Sequence, residues 1–298
     1  MERENMKAIG VVTDSHSGIT PEEAQRLGIL LLPMPFYIGE QCYYEGVSIT
    51  REEFFARLSD GQTVSTSQPS PEAVMEIWRE GLQNFEKLLH IPMSSGLSGS
   101  CNTAKVLAEE EEFAGKVFVI DNGRISTPLH RSILDVLELI EEGYDAEEIL
   151  NIIEEAKDKM TIYLGVETLE HLKKGGRITA ATAAIGTLLN VKPVMKLDIG
   201  VLETYQKCRG MKKAKREMLE AVKQDLETTF RMAYDAGEVH MLAASSADEA
   251  TTKAWLEEIQ NYFPEMDILC DPLSLGISCH TGEGALGIGF SCKPQRRK

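Results

Sequence analysis

"EKLLHIPMSSGLSGSCNTAKVLAEEEE", Glu86 to Glu112, decides how the fold is read. Glu86 to Met93 is a short apolar run of strand length, and the segment from Cys101 onward has helical character. That segment ends in Glu109 to Glu112, a run of acids that reads as a solvated face. Between the two, Ser94 to Ser100 packs four serines and two glycines into seven residues. The plain reading of this loop is a polar turn with a helix cap. The sharper reading is a cradle for an anion. A helix beginning near Ser98 offers free backbone N–H groups and the positive end of its dipole, while Gly96 and Gly99 let the backbone come close.

The same strand–loop–helix pattern recurs on both sides. "KAIGVV" (Lys7 to Val12) is a strand leading into "TDSHSG" and then "ITPEEAQRLG", where Thr20 is the expected cap, Pro21 the first helical residue and Glu23 the third. "ILLLPMPFYI" is a further apolar run, too broken by proline for a helix. "ITREEFFARL" repeats the capping box with Thr50 and Glu53, and "TSQPSP" (Thr66 to Pro71) leads into a helix capped by Ser70. "KVFVIDN" is another strand. Short apolar strands alternating with helices predict a mostly parallel sheet over residues 1–160.

The second half has a different texture. "TIYLGVETLEHLKKGGRI" starts as a strand and becomes a short helix stopped at Gly175 and Gly176. "VKPVMKLDIGVLETYQKC" predicts a hairpin turning at Asp198 to Gly200, and Lys212 to Ala236 predicts one long amphipathic helix. Ser246 and Glu249 predict a further capping box, and "MDILCDPL" and "GALGIGFSCK" predict late strands. The expected fold class is therefore two-domain α/β. A mostly parallel N-terminal domain (1–160) carries the Ser/Thr/Gly loops, and a second α/β domain containing a hairpin spans 161–298.

Composition narrows the function. The chain has 298 residues with 31 Lys and Arg against 47 Asp and Glu, a net charge of −16. That field opposes nucleic acid and anionic lipid surfaces, which disfavours a DNA-binding regulator. No apolar stretch approaches the roughly 20 residues that cross a bilayer. The charged start "MERENMKAIGVV" does not read as a signal peptide, so the expected location is the cytoplasm, with no stable membrane insertion. The six cysteines show no C-x-x-C pair, so buried reduced thiols are expected rather than disulfides or a metal site. Walker and H-E-x-x-H motifs are absent, and the G-x-G-x-x-G spelled by "GEGALG" (Gly282 to Gly287) lacks the strand–helix context of a nucleotide loop. "GLSGS" fails the G-x-S-x-G elbow because glycine directly follows Ser98. His280, placed by "HTGEG" in a glycine-rich loop, has no acidic partner indicated by spacing. A stand-alone hydrolase or phosphotransferase using Ser98 and His280 on a small anionic substrate is the alternative reading.

"VTDSHSGI", "TSQPSP", "SSGLSGS", "LKKGGRI" and "HTGEGALGIGF", in this order, resemble the DegV family over about residues 7 to 292. The resemblance implies a non-catalytic protein that binds a long-chain fatty acid between two α/β domains and needs no other cofactor. It also implies, for some members, service as the binding subunit of a bacterial fatty acid kinase. There a separate catalytic subunit phosphorylates the bound carboxylate with ATP, and the acyl-phosphate feeds phospholipid synthesis. Position by position, the carboxylate contacts fall on Thr66, Ser98 and His280, with Ser95, Gly96 and Gly99 supporting the head-group loop. Arg177 falls at the mouth or the kinase contact. Glu283 stands where the family has proline, and Ser100 where it usually has threonine. A protonated His280 is expected to meet the carboxylate. "TAATAAIGTLLN" and "GALGIGF" are read as acyl-tunnel wall or, equally, as ordinary core.

Overall fold

The computed structural model describes residues 7–178, 191–198 and 200–296. Thirteen strands run in chain order. They are β1 (Lys7–Asp14), β2 (Leu30–Leu32), β3 (Phe36–Ile38), β4 (Gln41–Tyr43), β5 (Val64–Thr66), β6 (Phe85–Ile91), β7 (Val117–Val119), β8 (Met160–Gly165), β9 (Val191–Asp198), β10 (Val201–Arg209), β11 (Val239–Ser245), β12 (Ile268–Pro272) and β13 (Leu286–Cys292).

Two compact units emerge from the contacts. The first comprises residues 1–35, 67–157 and 294–298, the second 36–66 and 158–293. The first unit holds a four-stranded parallel sheet in the order β2-β1-β6-β7. Its strands are buried on both faces, which explains their unbroken apolar runs. Val11 and Leu89 face the helices Thr127–Glu141 and Ala146–Glu155. Val12 and Leu88 face Trp78 and Ala104, from the helices Pro71–Gly81 and Ser100–Leu107. The expected parallel sheet is thus present, and the "TDSHSG" and "SSGLSGS" loops lie at the carboxyl ends of β1 and β6, whereas "TSQPSP" begins at the end of β5 in the second unit.

The second unit holds two sheets. Six strands run β10-β9-β8-β13-β11-β12, and three antiparallel strands run β4-β3-β5. In the larger sheet only β11 and β12 pair in parallel. β13 is buried along its whole length between β8 and β11. The predicted hairpin is β9–β10, whose turn residue Ile199 lies outside the described residues.

Four sequence expectations differ from what the chain does. A single boundary near residue 160 does not describe the units, because 36–66 packs with the second. Phe36, Ile38, Tyr43 and Phe54 share a core with Leu275 and Cys279, more than 200 residues downstream. The long helix is broken. It runs Met211–Glu227, then Arg231–Asp235, interrupted where Thr228 Oγ1 donates back to the Gln224 carbonyl at 2.6 Å and Phe230 turns to stack edge-on against Phe290. The last capping box fails. Asp248 caps the helix Glu249–Tyr262 by accepting from Thr251 N–H, and Ser246 Oγ instead donates to the Gly282 carbonyl at 2.7 Å. Finally, His280 sits in the last turn of a helix, Leu275–Thr281, rather than in a loop. The six thiols are free, with Cys101, Cys208, Cys279 and Cys292 buried and Cys42 exposed. Among the described residues no helix is long and apolar enough to cross a membrane.

Candidate functional site

Two of the three expected head-group residues belong to the second unit, and they meet. Thr66 ends β5, placed by the pairing of Phe36 with Thr66 across β3. His280 ends the helix Leu275–Thr281. That helix is fixed at its start by Ser274 Oγ, which accepts from Ile277 N–H, and by Glu45 Oε2, which accepts from Leu275 N–H at 2.8 Å. Its inner face, Leu275 and Cys279, is buried against Phe36 and Phe54. Thr66 Oγ1 and His280 Nε2 stand 2.8 Å apart. In one tautomer Nε2–H donates to the hydroxyl oxygen and leaves the hydroxyl hydrogen for a ligand.

The "GGR" segment gives this imidazole its seat. The helix Glu170–Lys174 ends in a Schellman turn. Gly176, at φ +68°, donates to the Lys173 carbonyl, and Arg177 N–H reaches back to Leu172. Gly175 then lies under His280, close enough that a Cβ there would stand 1.9 Å from Nδ1. The two glycines therefore serve different ends: Gly176 supplies a left-handed backbone and Gly175 supplies room. Arg177, delivered by the turn, donates to the Gly175 carbonyl.

Burial, with the positive charge of Arg177 and then His171 nearby, pushes His280 down to about 4. With no anion present, that shift favours the neutral imidazole. Among the described residues its buried Nδ1 has no hydrogen-bond partner, so no orienting third group of a nucleophile–base arrangement is seen there. Glu283 does not supply it either. Its side chain is exposed and lines an open groove of about 940 Å³ with Arg51, Phe55, Asp248 and Asp271, in which neither Thr66 nor His280 takes part.

Ser98 belongs to the first unit. Its Oγ accepts from Ser100 N–H at 3.2 Å, one turn-like bond that leaves its own hydrogen free to donate. The loop around it is braced. Ser95 Oγ donates to Asp121 Oδ2 at 2.6 Å, and Lys157 Nζ reaches the same oxygen at 2.7 Å. Burial works against the Asp121 charge, but those bonds hold its carboxyl below the usual range. Gly96 N–H donates to Ser94 Oγ. Gly99 caps the helix Ser100–Leu107, and a Cβ there would meet Gln68 Oε1 at 3.0 Å. The helix starts at Ser100, two residues later than expected.

The "TDSHSG" hydroxyls bond within the first unit. Thr13 Oγ1 donates to the Ile91 carbonyl, while Ser15 and Ser17 accept backbone N–H groups. Asp14 accepts from His16 and Met93 N–H, and burial pushes its carboxyl up to about 6 against those bonds. These bonds tie β1 to the end of β6.

Of the expected tunnel wall, "TAATAAIGTLLN" lies outside the described residues. Leu286, Ile288 and Phe290 of "GALGIGF" lie in the core with Trp255 and Met218, so that stretch is packed interior. His171 also lies in the His280 corner, with its ring against Gly282.

Comparison with known proteins places the chain in a family. The model of a family described as "Uncharacterised protein, DegV family" matches residues 8–293. A DegV domain-containing protein of Deinococcus radiodurans is 29% identical over 286 residues, covering 95% of this chain and 98% of its own. A DegV family protein from Thermus thermophilus, solved in a study of its fatty acid binding, is 34% identical with a TM-score of 0.84, covering 96% of this chain and 99% of its own. A DegV family protein from Ruminococcus gnavus, solved with vaccenic acid, is 25% identical with a TM-score of 0.80, covering 94% and 99%. With one family model spanning nearly all of its length, the chain belongs to the DegV family.

Proposed function

We propose that the protein binds a long-chain fatty acid and holds its carboxylate at the Thr66–His280 pair, with Ser98 as a further donor. The observation that carries this is the 2.8 Å approach of Thr66 Oγ1 to His280 Nε2 beside a cationic Arg177. Relatives at 34% and 25% identity, named for fatty acid binding and solved with vaccenic acid, supply the ligand class. Burying about 14 methylenes is worth about 11 kcal/mol at ~0.8 kcal/mol each, enough to leave a surplus after ordering costs. The acid group must then be met by donors, because a bare charge in an apolar setting is strongly unfavourable. The Thr66 hydroxyl, the imidazole and the Ser98 hydroxyl are donors of the right kind.

The protein itself then has no bond to break. Its role is to present the carboxylate, in the cytoplasm, to a separate ATP-dependent kinase subunit. A carboxylate oxygen attacks the γ-phosphorus of ATP, giving acyl-phosphate and ADP. Arg177, half-buried at the end of the "GGR" turn, is assigned to that encounter.

Solvent extraction and mass spectrometry of folded protein from a bacterial host should release a stoichiometric long-chain acid. Folded protein with nothing bound, and no uptake of added palmitate, overturns the reading. Thr66→Ala with Ser98→Ala should weaken palmitate binding by about 2–4 kcal/mol together, since each lost bond to a charged group costs ~1–2 kcal/mol. Unchanged affinity in calorimetry would place the head group elsewhere.

A further inference from the structure

Ser98 stands at the end of a series of bonds that begins well behind it. The loop 121–126, which follows β7, opens in a tight turn. Asp121 Oδ1 accepts from Gly123 N–H at 3.2 Å, Asn122 Oδ1 accepts from Arg124 N–H at 3.1 Å, and Gly123 takes the left-handed value φ +68°. The turn is anchored from beneath by Arg124, which is 2% exposed. Its guanidinium donates to Ser132 Oγ and to the Ala156 carbonyl, each at 2.9 Å. Ser132 lies in the helix Thr127–Glu141, and Ala156 caps the helix Ala146–Glu155. The position of the turn is therefore set by two packed helices.

Two points of this turn hold the loop 94–100. The Arg124 carbonyl accepts from Ser94 N–H at 2.7 Å. Asp121 accepts from Ser95 twice, from the hydroxyl at 2.6 Å and from the backbone N–H at 3.3 Å. Lys157 Nζ, 2.7 Å from the same carboxylate, balances its charge, and Glu154 Oε1 accepts from Asp121 N–H at 3.4 Å. Ser94, 1% exposed, passes the constraint forward, because its carbonyl accepts from Leu97 N–H and Ser98 N–H, both at 3.1 Å. All of these residues belong to the first unit. The Ser98 hydroxyl stands outside the series, accepting from Ser100 N–H at 3.2 Å. Fixing a Ser/Gly loop costs backbone entropy at each residue, and meeting that cost on folding rather than on binding is what preorganises a site.

We propose that Asp121 is a positioning residue for the Ser98 donor, acting through Ser95 and Ser94, and that with Arg124 and Lys157 it preorganises the head-group loop. This rests on the fatty-acid reading above. Asp121 touches no ligand in this scheme. Its influence on affinity runs wholly through where the Ser98 hydroxyl is held. Losing the carboxylate therefore weakens binding by less than losing the hydroxyl, and it weakens nothing further once the hydroxyl is gone. A carboxylate that merely supported the fold would instead act alike with or without the Ser98 hydroxyl.

Palmitate calorimetry on the full chain tests this as a cycle of native protein, Asp121→Ala, Ser98→Ala and the double variant. Ser98→Ala should lower affinity about 5- to 30-fold. Asp121→Ala should lower it about 3- to 10-fold in the native chain but less than about twofold in Ser98→Ala. Asp121→Asn keeps an oxygen that can accept from Ser95 and Gly123 N–H, so its affinity should fall between native and Asp121→Ala. Equal losses from Asp121→Ala in both backgrounds, or no loss in the native chain, overturn the proposal. If Asp121→Ala does not fold, Ser95→Ala takes its place in the cycle, removing the 2.6 Å bond while leaving the carboxylate with Lys157, and the same outcomes decide. Native affinity in Ser98→Ala overturns the proposal while leaving Thr66 and His280 in place. Failure of the native chain to bind palmitate overturns the fatty-acid reading, and the proposal falls with it.

Discussion

Gly289→Ala is expected to destabilise the protein by about 3 kcal/mol or more, a large part of the 5–15 kcal/mol that holds a typical domain together. Gly289 sits mid-strand in β13, opposite Ile162 of β8 and Leu242 of β11. A Cβ there would stand 2.0 Å from the Thr161 carbonyl oxygen and 2.9 Å from the Ile162 Cα. Both are backbone atoms of the neighbouring strand, so relief requires β8 to part from β13, and with it the middle of the six-stranded sheet. Overpacking usually costs about 1–3 kcal/mol because side chains give way; here the Ile162 Cδ1, at 2.5 Å, can move, but the two backbone atoms cannot without the strands parting. Gly287, two residues earlier on the same strand, is the internal control. A Cβ there meets nothing nearer than 3.5 Å, an ordinary contact, so Gly287→Ala should change stability by less than about 1 kcal/mol. Urea unfolding of both variants makes the comparison. Equal midpoints would mean that β8 and β13 do not pair in this register.

Where local rules govern, the chain could be read directly. "KAIGVV" and "EKLLHIPM" are apolar at successive positions because β1 and β6 bury both faces, and that alone implies a parallel sheet under two layers of helix. Thr50 and Glu53 form the expected reciprocal cap. The failures are non-local. Nothing in "FYIGEQCYYEG" announces that Phe36 will pack against Leu275, so the segment was assigned to the wrong unit. His280 looked like a loop residue because Gly282 and Gly284 follow it, and "LGISCH" has no helical periodicity. Its helix is held by Ser274, by Glu45 and by the core beneath Cys279. The Ser94–Ser100 loop is visible as chemistry in the sequence, whereas the meeting of Thr66 and His280 is not, since 214 residues separate them. The motif resemblance, not periodicity, brought those two side chains together. The proton balance was legible to neither, because burial and the approach of Arg177 are properties of the folded corner.

The substitution expected to damage the site most is also among the smallest. Gly175→Ala should lower palmitate affinity about 10- to 100-fold, equivalent to losing one hydrogen bond to a charged group at about 1.5–3 kcal/mol. The backbone does not object to alanine: Gly175 has φ −75° and ψ −11°, right-handed helical values. Filling such a position commonly stabilises a fold by about 0.4–1 kcal/mol. The conflict is with His280 alone, whose Nδ1, Cε1 and Cγ would lie 1.9, 2.6 and 3.2 Å from the new methyl. The ring has to swing away while its helix stays anchored, and the 2.8 Å approach to Thr66 Oγ1 is lost. Gly176→Ala separates the two roles of the motif. No heavy atom lies within 4 Å of a Cβ there, but φ is +68°, so that variant should lose about 1–2 kcal/mol of stability through backbone strain, with the imidazole untouched. Melting temperature and palmitate calorimetry on the pair should therefore move in opposite senses. Gly175→Ala should melt near the native temperature yet bind weakly, and Gly176→Ala should melt lower yet bind well below its transition. Native affinity in Gly175→Ala would show that the head group does not depend on the seat of His280, and the assignment of Thr66 and His280 would fall with it.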